Sequence, residues 1–135
     1  MIGVVVVTHG QLATELVNAT EAIVGDLPRF AAVSIGRHED TDDARGEIAQ
    51  AIARVDQGQG VLILTDMFGG TPCNLAMTFL AEHKVEVITG VNVPMLIKLS
   101  GLQDRGELLA VAREMREHGR HAIWVASDLL RAEKT

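Results

Sequence analysis

At 135 residues, with 47% hydrophobic residues, 3% aromatics, no tyrosine and a formal net charge of −6, the chain is sized for one domain with an aliphatic, alanine-rich core. The acidic balance and the scarcity of aromatics argue against nucleic acid and anionic membranes as principal partners, since the sequence supplies neither a basic face nor a base-stacking platform. Cys73 is the one cysteine, which rules out an internal disulfide, and no apolar run reaches membrane-span length, so a cytoplasmic protein without direct membrane insertion is expected.

Strand and helix patterns alternate from end to end, placing residues 1–135 in one domain. Val4-Val5-Val6-Val7 lacks polar alternation and suits a strand covered on both faces, with His9 at its carboxyl end. Leu12, Leu16, Ala19 and Ile23 then recur at helical spacing up to Gly25. Phe30 to Ile35 predicts the second strand, and Gly36-Arg37-His38-Glu39-Asp40 a polar loop. Thr41 is the predicted cap of a helix burying Ala44, Ile48, Ala51, Ile52 and Val55. Val61 to Leu64 predicts the third strand, followed by a turn in which Thr71 reads as the cap and Pro72 as the first position of a helix through Leu75, Ala76, Phe79 and Leu80. Val85 to Ile88 predicts the fourth strand, and Pro94 opens a helix through Met95, Leu96 and Leu99. Asp104-Arg105-Gly106-Glu107 resembles a capping box for a helix with Leu108, Val111, Ala112 and Met115 that Gly119 closes. His121 to Ala126, with Trp124, reads as a last strand at the sheet's edge. The pattern predicts an α/β fold: a doubly wound, mostly parallel sheet with helices on both faces. The final segment is too apolar for an open edge, so its exchange between two identical chains is expected to close a homodimer.

In such a sheet the loops that follow strands converge on one face, which gathers His9, Asp66, Gly69-Gly70-Thr71 and Asn92. Asp66 follows a buried apolar run and needs a donor, which His9 can be. A carboxylate on one ring nitrogen fixes the tautomer and leaves the other nitrogen nucleophilic. Two glycines and a threonine at a helix start can cradle an anion with backbone N–H groups and a hydroxyl. Nucleophile, orienting carboxylate and anion cradle together point to phosphoryl transfer. The chain has no Walker sequence, GxGxxG, CxxC or GxSxG, so the phosphoryl donor is expected to be another protein, and the chemistry calls for neither metal nor cofactor. His38 could reach the rim of the site; His83, His118 and His121 lie near helix ends and read as structural, and Cys73 as buried and inert.

V-V-V-T-H-G near the start, L-T-D-M-F-G-G-T-P-C-N-L-A at 64 to 76 and T-G-V-N-V-P-M-L at 89 to 96 together resemble the mannose-family IIA domain of the bacterial phosphoenolpyruvate-dependent phosphotransferase system. The resemblance spans nearly the whole chain. It implies that His9 accepts a phosphoryl group from the phosphocarrier HPr as a tele-phosphohistidine and passes it to a histidine of a IIB component, with the membrane components IIC and IID engaged only indirectly. It further implies that Asp66 is the partner of that histidine, that Thr71 supplies the hydroxyl of the glycine turn, and that the homodimer exchanges its last strand. Because the chain ends soon after that segment, IIB is expected on a separate chain. The phosphotransfer subunit of dihydroxyacetone kinase is related but has a shorter glycine-serine turn, so Phe68-Gly69-Gly70-Thr71-Pro72 favours the mannose type. The sugar is not fixed by the sequence. A stand-alone regulatory module gated by His9 phosphorylation uses the same acceptor, whereas a small-molecule enzyme predicts a deep apolar pocket.

Overall fold

The computed structural model describes residues 1–134. Strand β1 (Gly3–His9) leads through helix α1 (Leu12–Val24) to β2 (Phe30–Ile35), then through α2 (Thr41–Val55) to β3 (Val61–Thr65) and through α3 (Gly70–Met77) to β4 (Val85–Thr89). Helices α4 (Val93–Ser100), α5 (Leu108–His121) and α6 (Ala126–Lys134) follow. The four strands are parallel in the order β2-β1-β3-β4.

The valine run explains why β1 is central. Val4 and Val6 join Leu62, Leu64 and Ile88 in a layer beneath α1, α4 and α5, while Val5 and Val7 join Val33, Ile35 and Ile63 in a layer beneath α2 and α3. Alternate side chains thus serve two cores, and a strand with water on one face could not use four valines in succession. The doubly wound, helix-covered sheet is as the sequence predicts, with no fifth strand among the described residues.

The segment from His121 to Ala126 is not a strand. Helix α5 continues to His121, Ala122 caps it, and Ala126 begins α6. Only Ile123, Trp124 and Val125 lie between, too short an apolar run to form a ladder within the chain, and they stand 77%, 59% and 65% exposed. Gly119 does not close α5 either. It lies inside the helix, where a Cβ would come 2.6 Å from the Sδ of Met95, so it is a close-packing residue between α4 and α5.

Several helix ends and one helix face also differ from the sequence reading. The inward stripe of α1 is Ala13, Leu16, Val17 and Thr20; Leu12, Ala19 and Ile23 are exposed. Thr20 can be buried because its hydroxyl donates to the carbonyl of Leu16 at 2.8 Å. Asp40, not Thr41, caps α2 by accepting from the N–H groups of Asp42 and Asp43. Glu107, not Asp104, caps α5. Helix α3 starts at Gly70, two residues before Pro72, and ends at Met77, leaving Leu80 outside it and exposed.

The end of the sheet away from the strand tips is tied by Gln103. Its buried side chain donates to the carbonyls of Ile2 at 3.0 Å and Pro28 at 2.9 Å, while the backbone carbonyl of Gln103 accepts from Ile2 N–H at 2.7 Å. One residue therefore joins the starts of β1 and β2 across a sequence separation of 101.

Candidate functional site

The order β2-β1-β3-β4 places the topological switch point between β1 and β3, because the chain leaves β1 toward β2 and returns across it to β3. Loops diverge at such a point and leave a crevice at the carboxyl ends. The register pairs Val7 with Thr65, so His9, two residues past Val7, and Asp66, the residue after Thr65, emerge at neighbouring strand ends. Both tips are anchored. The Thr8 hydroxyl accepts from Ala13 N–H at 2.6 Å, the Ser34 hydroxyl accepts from Thr14 N–H at 3.2 Å, and the Thr65 carbonyl accepts from Gly90 and Val91 at 2.9 and 3.0 Å.

His9 donates twice to one carboxylate oxygen of Asp66: Nδ1 lies 2.8 Å and its backbone N–H 3.1 Å from Oδ2, while Met67 N–H donates to Oδ1 at 3.1 Å. Burial alone would raise the Asp66 pKa, but the ring hydrogen bond, the backbone hydrogen bond and the charge of His9 together hold it below its ordinary value. Asp66 is thus an ionised, acceptor-only group, which assigns the proton to Nδ1 and the lone pair to Nε2. Half of the His9 side chain is exposed against 15% of that of Asp66, so the imidazole is open to solvent while the carboxylate beside it is shielded.

The glycine turn brings the start of α3 against that free nitrogen. Gly69 (φ 90, ψ 168) and Gly70 (φ 84) hold conformations open to glycine, and a Cβ on Gly70 would lie 3.0 Å from both Cε1 and Nε2 of His9. Helices α2, α4 and α5 have their first N–H groups capped by Asp40, Asn92 and Glu107, and α1 has them capped by Thr8 and Ser34. No side chain caps α3. Its first-turn N–H groups and the positive end of its dipole therefore remain available to an anion beside Nε2. Thr71 lies in this first turn rather than at the cap.

His9, Gly10, Ile35, Gly36, Arg37, Glu39, Thr41, Thr71 and Pro72 line a depression of about 360 Å³. The structure brings His9, Asp66, Gly69, Gly70 and Thr71 together at the strand tips, but not Asn92, which caps α4 by accepting from Met95 N–H at 3.0 Å and donates to the Gly119 carbonyl at 3.1 Å. His38, His83, His118 and His121 do not line the depression, and Cys73 is buried. Sequence reasoning missed Arg37, which does line it, although its place in the polar loop after β2 was a usable signal. It also missed that Met67 and Phe68, the latter 75% exposed, leave an apolar tip next to Asp66. A second cavity, of about 430 Å³, lies along β4 and α5 and does not include His9. Among the described residues no group of His, Cys, Asp and Glu is placed to hold a metal, and no helix is long and apolar enough to cross a membrane.

Comparison with known proteins bears on the family and the fold. The family model described as PTS system fructose IIA component matches residues 3–115. The chain is 29% identical over 136 residues to the PTS system fructose-specific EIIA component of Bacillus subtilis (strain 168), covering all of this chain and 93% of that protein. It is 31% identical over 127 residues to the PTS system mannose-specific EIIAB component of Escherichia coli (strain K12), covering 90% of this chain but only 39% of that longer protein. Among solved structures, the mannose/sorbose specific IIA subunit from Enterococcus faecalis superposes with a TM-score of 0.81 at 26% identity, covering 92% of this chain and 93% of that one.

Proposed function

The chain belongs to the PTS fructose IIA component family, and on that premise we propose that His9 carries a phosphoryl group from phospho-HPr to a IIB component of a sugar phosphotransferase system. The observation that carries the reading is the pairing of Nδ1 with Asp66 at 2.8 Å while Nε2 faces Gly70 and the uncapped start of α3. In the transfer, the Nε2 lone pair forms the new P–N bond as the donor's P–N bond breaks, and the donor nitrogen keeps the electron pair. No proton moves at the reacting atoms. The ring becomes cationic, and Asp66 stabilises that charge through the proton it already accepts. The N–H groups of Gly70 and Thr71 and the Thr71 hydroxyl take the charge on the phosphoryl oxygens.

Protein donors and acceptors fit the surface. Charged and polar side chains (Arg37, Glu39, Thr41, Thr71) share the lining of the depression at His9 with Ile35 and Pro72, and the exposed Phe68 offers a docking protein an apolar anchor close to Asp66 in the chain. We further propose a homodimer in which Ile123, Trp124 and Val125 are covered by the second copy near the open edge of β4, since that exposed apolar segment borders the cavity along β4 and α5.

Incubation with phosphoenolpyruvate, enzyme I and HPr, followed by intact mass, tests the carrier role. One acid-labile, base-stable phosphoryl group is expected on the wild-type chain and none on His9→Ala. Labelling of His9→Ala at the wild-type level overturns the assignment. Loss of the label when IIB is added separates a transport carrier from a regulatory module, which would retain it.

A further inference from the structure

The depression beside His9 poses a charge problem that backbone N–H groups alone do not solve. Asp66 holds one side of the imidazole, and Glu39 lines the wall, its Oε1 accepting only a 3.5 Å contact from Gly36 N–H and its Oε2 buried without a partner. A phosphoryl group on Nε2 would place roughly 1.5–2 negative charges on its oxygens, only partly offset by the cationic ring. Among the described residues that line the depression, Arg37 is the only lysine or arginine. Its guanidinium forms no ion pair with another described residue.

The loop that carries Arg37 is built to aim it. Glu39 N–H donates to the Gly36 carbonyl at 3.2 Å, and the Gly36 N–H points back at Glu39, which closes a turn with Arg37 and His38 at its corners. Arg37 lines the depression and His38 does not. The neighbouring start of α2 cannot replace it as an anion partner, because Asp40 already occupies the N–H groups of Asp42 and Asp43.

We propose that Arg37 is a phosphoryl-binding residue: its guanidinium folds over the depression and donates to non-bridging oxygens of the phosphoryl group on Nε2 of His9, opposite the start of α3. The inference rests on His9 being the acceptor, as proposed above. Arginine suits the task because its planar fork can donate twice to one phosphoryl group and its charge persists at any working pH. Arg37 neither gives up nor takes a proton. It lowers the barrier by matching charge that gathers on the oxygens as the phosphorus passes between two nitrogens.

The test compares the full chain with Arg37→Ala and Arg37→Lys in single-turnover transfer from phospho-HPr, at low and high salt. The phosphorus chemical shift of each phosphorylated form and an inorganic phosphate titration followed at Gly70 N–H complete it. Arg37→Ala is expected to slow transfer by about tenfold or more, with Arg37→Lys between it and wild type and with a weaker salt dependence in the alanine variant. The phosphorus resonance should move, while the melting temperature stays unchanged because Arg37 is exposed. Transfer by Arg37→Ala within about twofold of wild type with an unmoved resonance overturns the proposal. If the wild-type chain accepts no phosphoryl group, the carrier reading fails, and the titration still decides the anion site. Phosphate binding weakened by about fivefold in Arg37→Ala upholds it, whereas equal binding, or none in either, overturns it.

Discussion

Replacing Gly70 by alanine tests the contact that brings the glycine turn onto the nucleophile. At φ 84 a Cβ costs about 1–2 kcal/mol, and here it would stand 3.0 Å from both Cε1 and Nε2 of His9. That is too close by a few tenths of an ångström, and the ring cannot yield freely because Nδ1 is held 2.8 Å from Asp66. Gly69→Ala is the matched control. Its φ of 90 and ψ of 168 cost a non-glycine residue about 1–3 kcal/mol, yet nothing lies within 4 Å of its Cβ. At roughly 3–5 °C per kcal/mol for a domain of this size, Gly70→Ala should melt lower by about 3–10 °C and Gly69→Ala by about 3–15 °C. Only Gly70→Ala places a carbon against Nε2. It should cut transfer from phospho-HPr by about 100-fold, the loss typical of a misplaced reacting group, whereas Gly69→Ala should stay within about fivefold of wild type. Thermal melts and time-resolved intact mass measure the two effects separately. Equal transfer rates for the two variants would refute the idea that the space above Nε2 is what Gly70 protects.

Asp66→Asn should keep the fold but slow transfer by at least about tenfold, because the amide no longer fixes the Nδ1 proton or stabilises the cationic ring; wild-type rates from a folded variant would remove its orienting role. The same carboxylate titrates below its ordinary value in the folded chain, so its stabilising contribution is present above the unfolded carboxyl pKa of about 3.9 and is lost as pH falls through the lower native value. Acid melts should therefore show wild type losing more stability than Asp66→Asn below about pH 4. Gly3→Ala should act on stability alone. Its Cβ would meet the backbone oxygen of Val55 at 2.6 Å, a contact that no rotamer relieves, and the loss should reach the top of the roughly 1–3 kcal/mol overpacking range, with unchanged transfer per folded molecule. Light scattering should report a dimer for the intact chain and a monomer for Trp124→Glu; a monomeric wild type at micromolar concentration would contradict the proposed interface.

The four observed strands and the grouping of residues at the candidate site were legible because both are written locally. Four valines in a row can only be a doubly covered strand, and a histidine and an aspartate that each end such a run are brought together by parallel topology. The misread parts depend on partners remote in sequence. Leu12 and Ile23 imitate an inward stripe, and only the tertiary contacts show that Ala13, Leu16, Val17 and Thr20 face the core, with Thr20 made acceptable by its bond to Leu16. Asp104 and Thr71 look like caps because side-chain type alone does not reveal where a helix begins. Ile123-Trp124-Val125 has strand chemistry but pairs with no strand among the described residues, and it is a short link between α5 and α6. Arg37 was passed over because its place in the polar loop after β2 is only a weak signal until the fold sets it in the lining beside His9.

The tie made by Gln103 bears on how the chain emerges during synthesis. Bringing residue 103 back to Ile2 closes a loop of about a hundred residues, an entropy cost of about 4 kcal/mol that nearer contacts must help to offset. His9 and Asp66 need only 57 intervening steps and can meet as soon as β3 is out. The His9 end of the sheet can therefore assemble on a growing chain whose opposite end is still unfastened, and Gln103 fastens that end later.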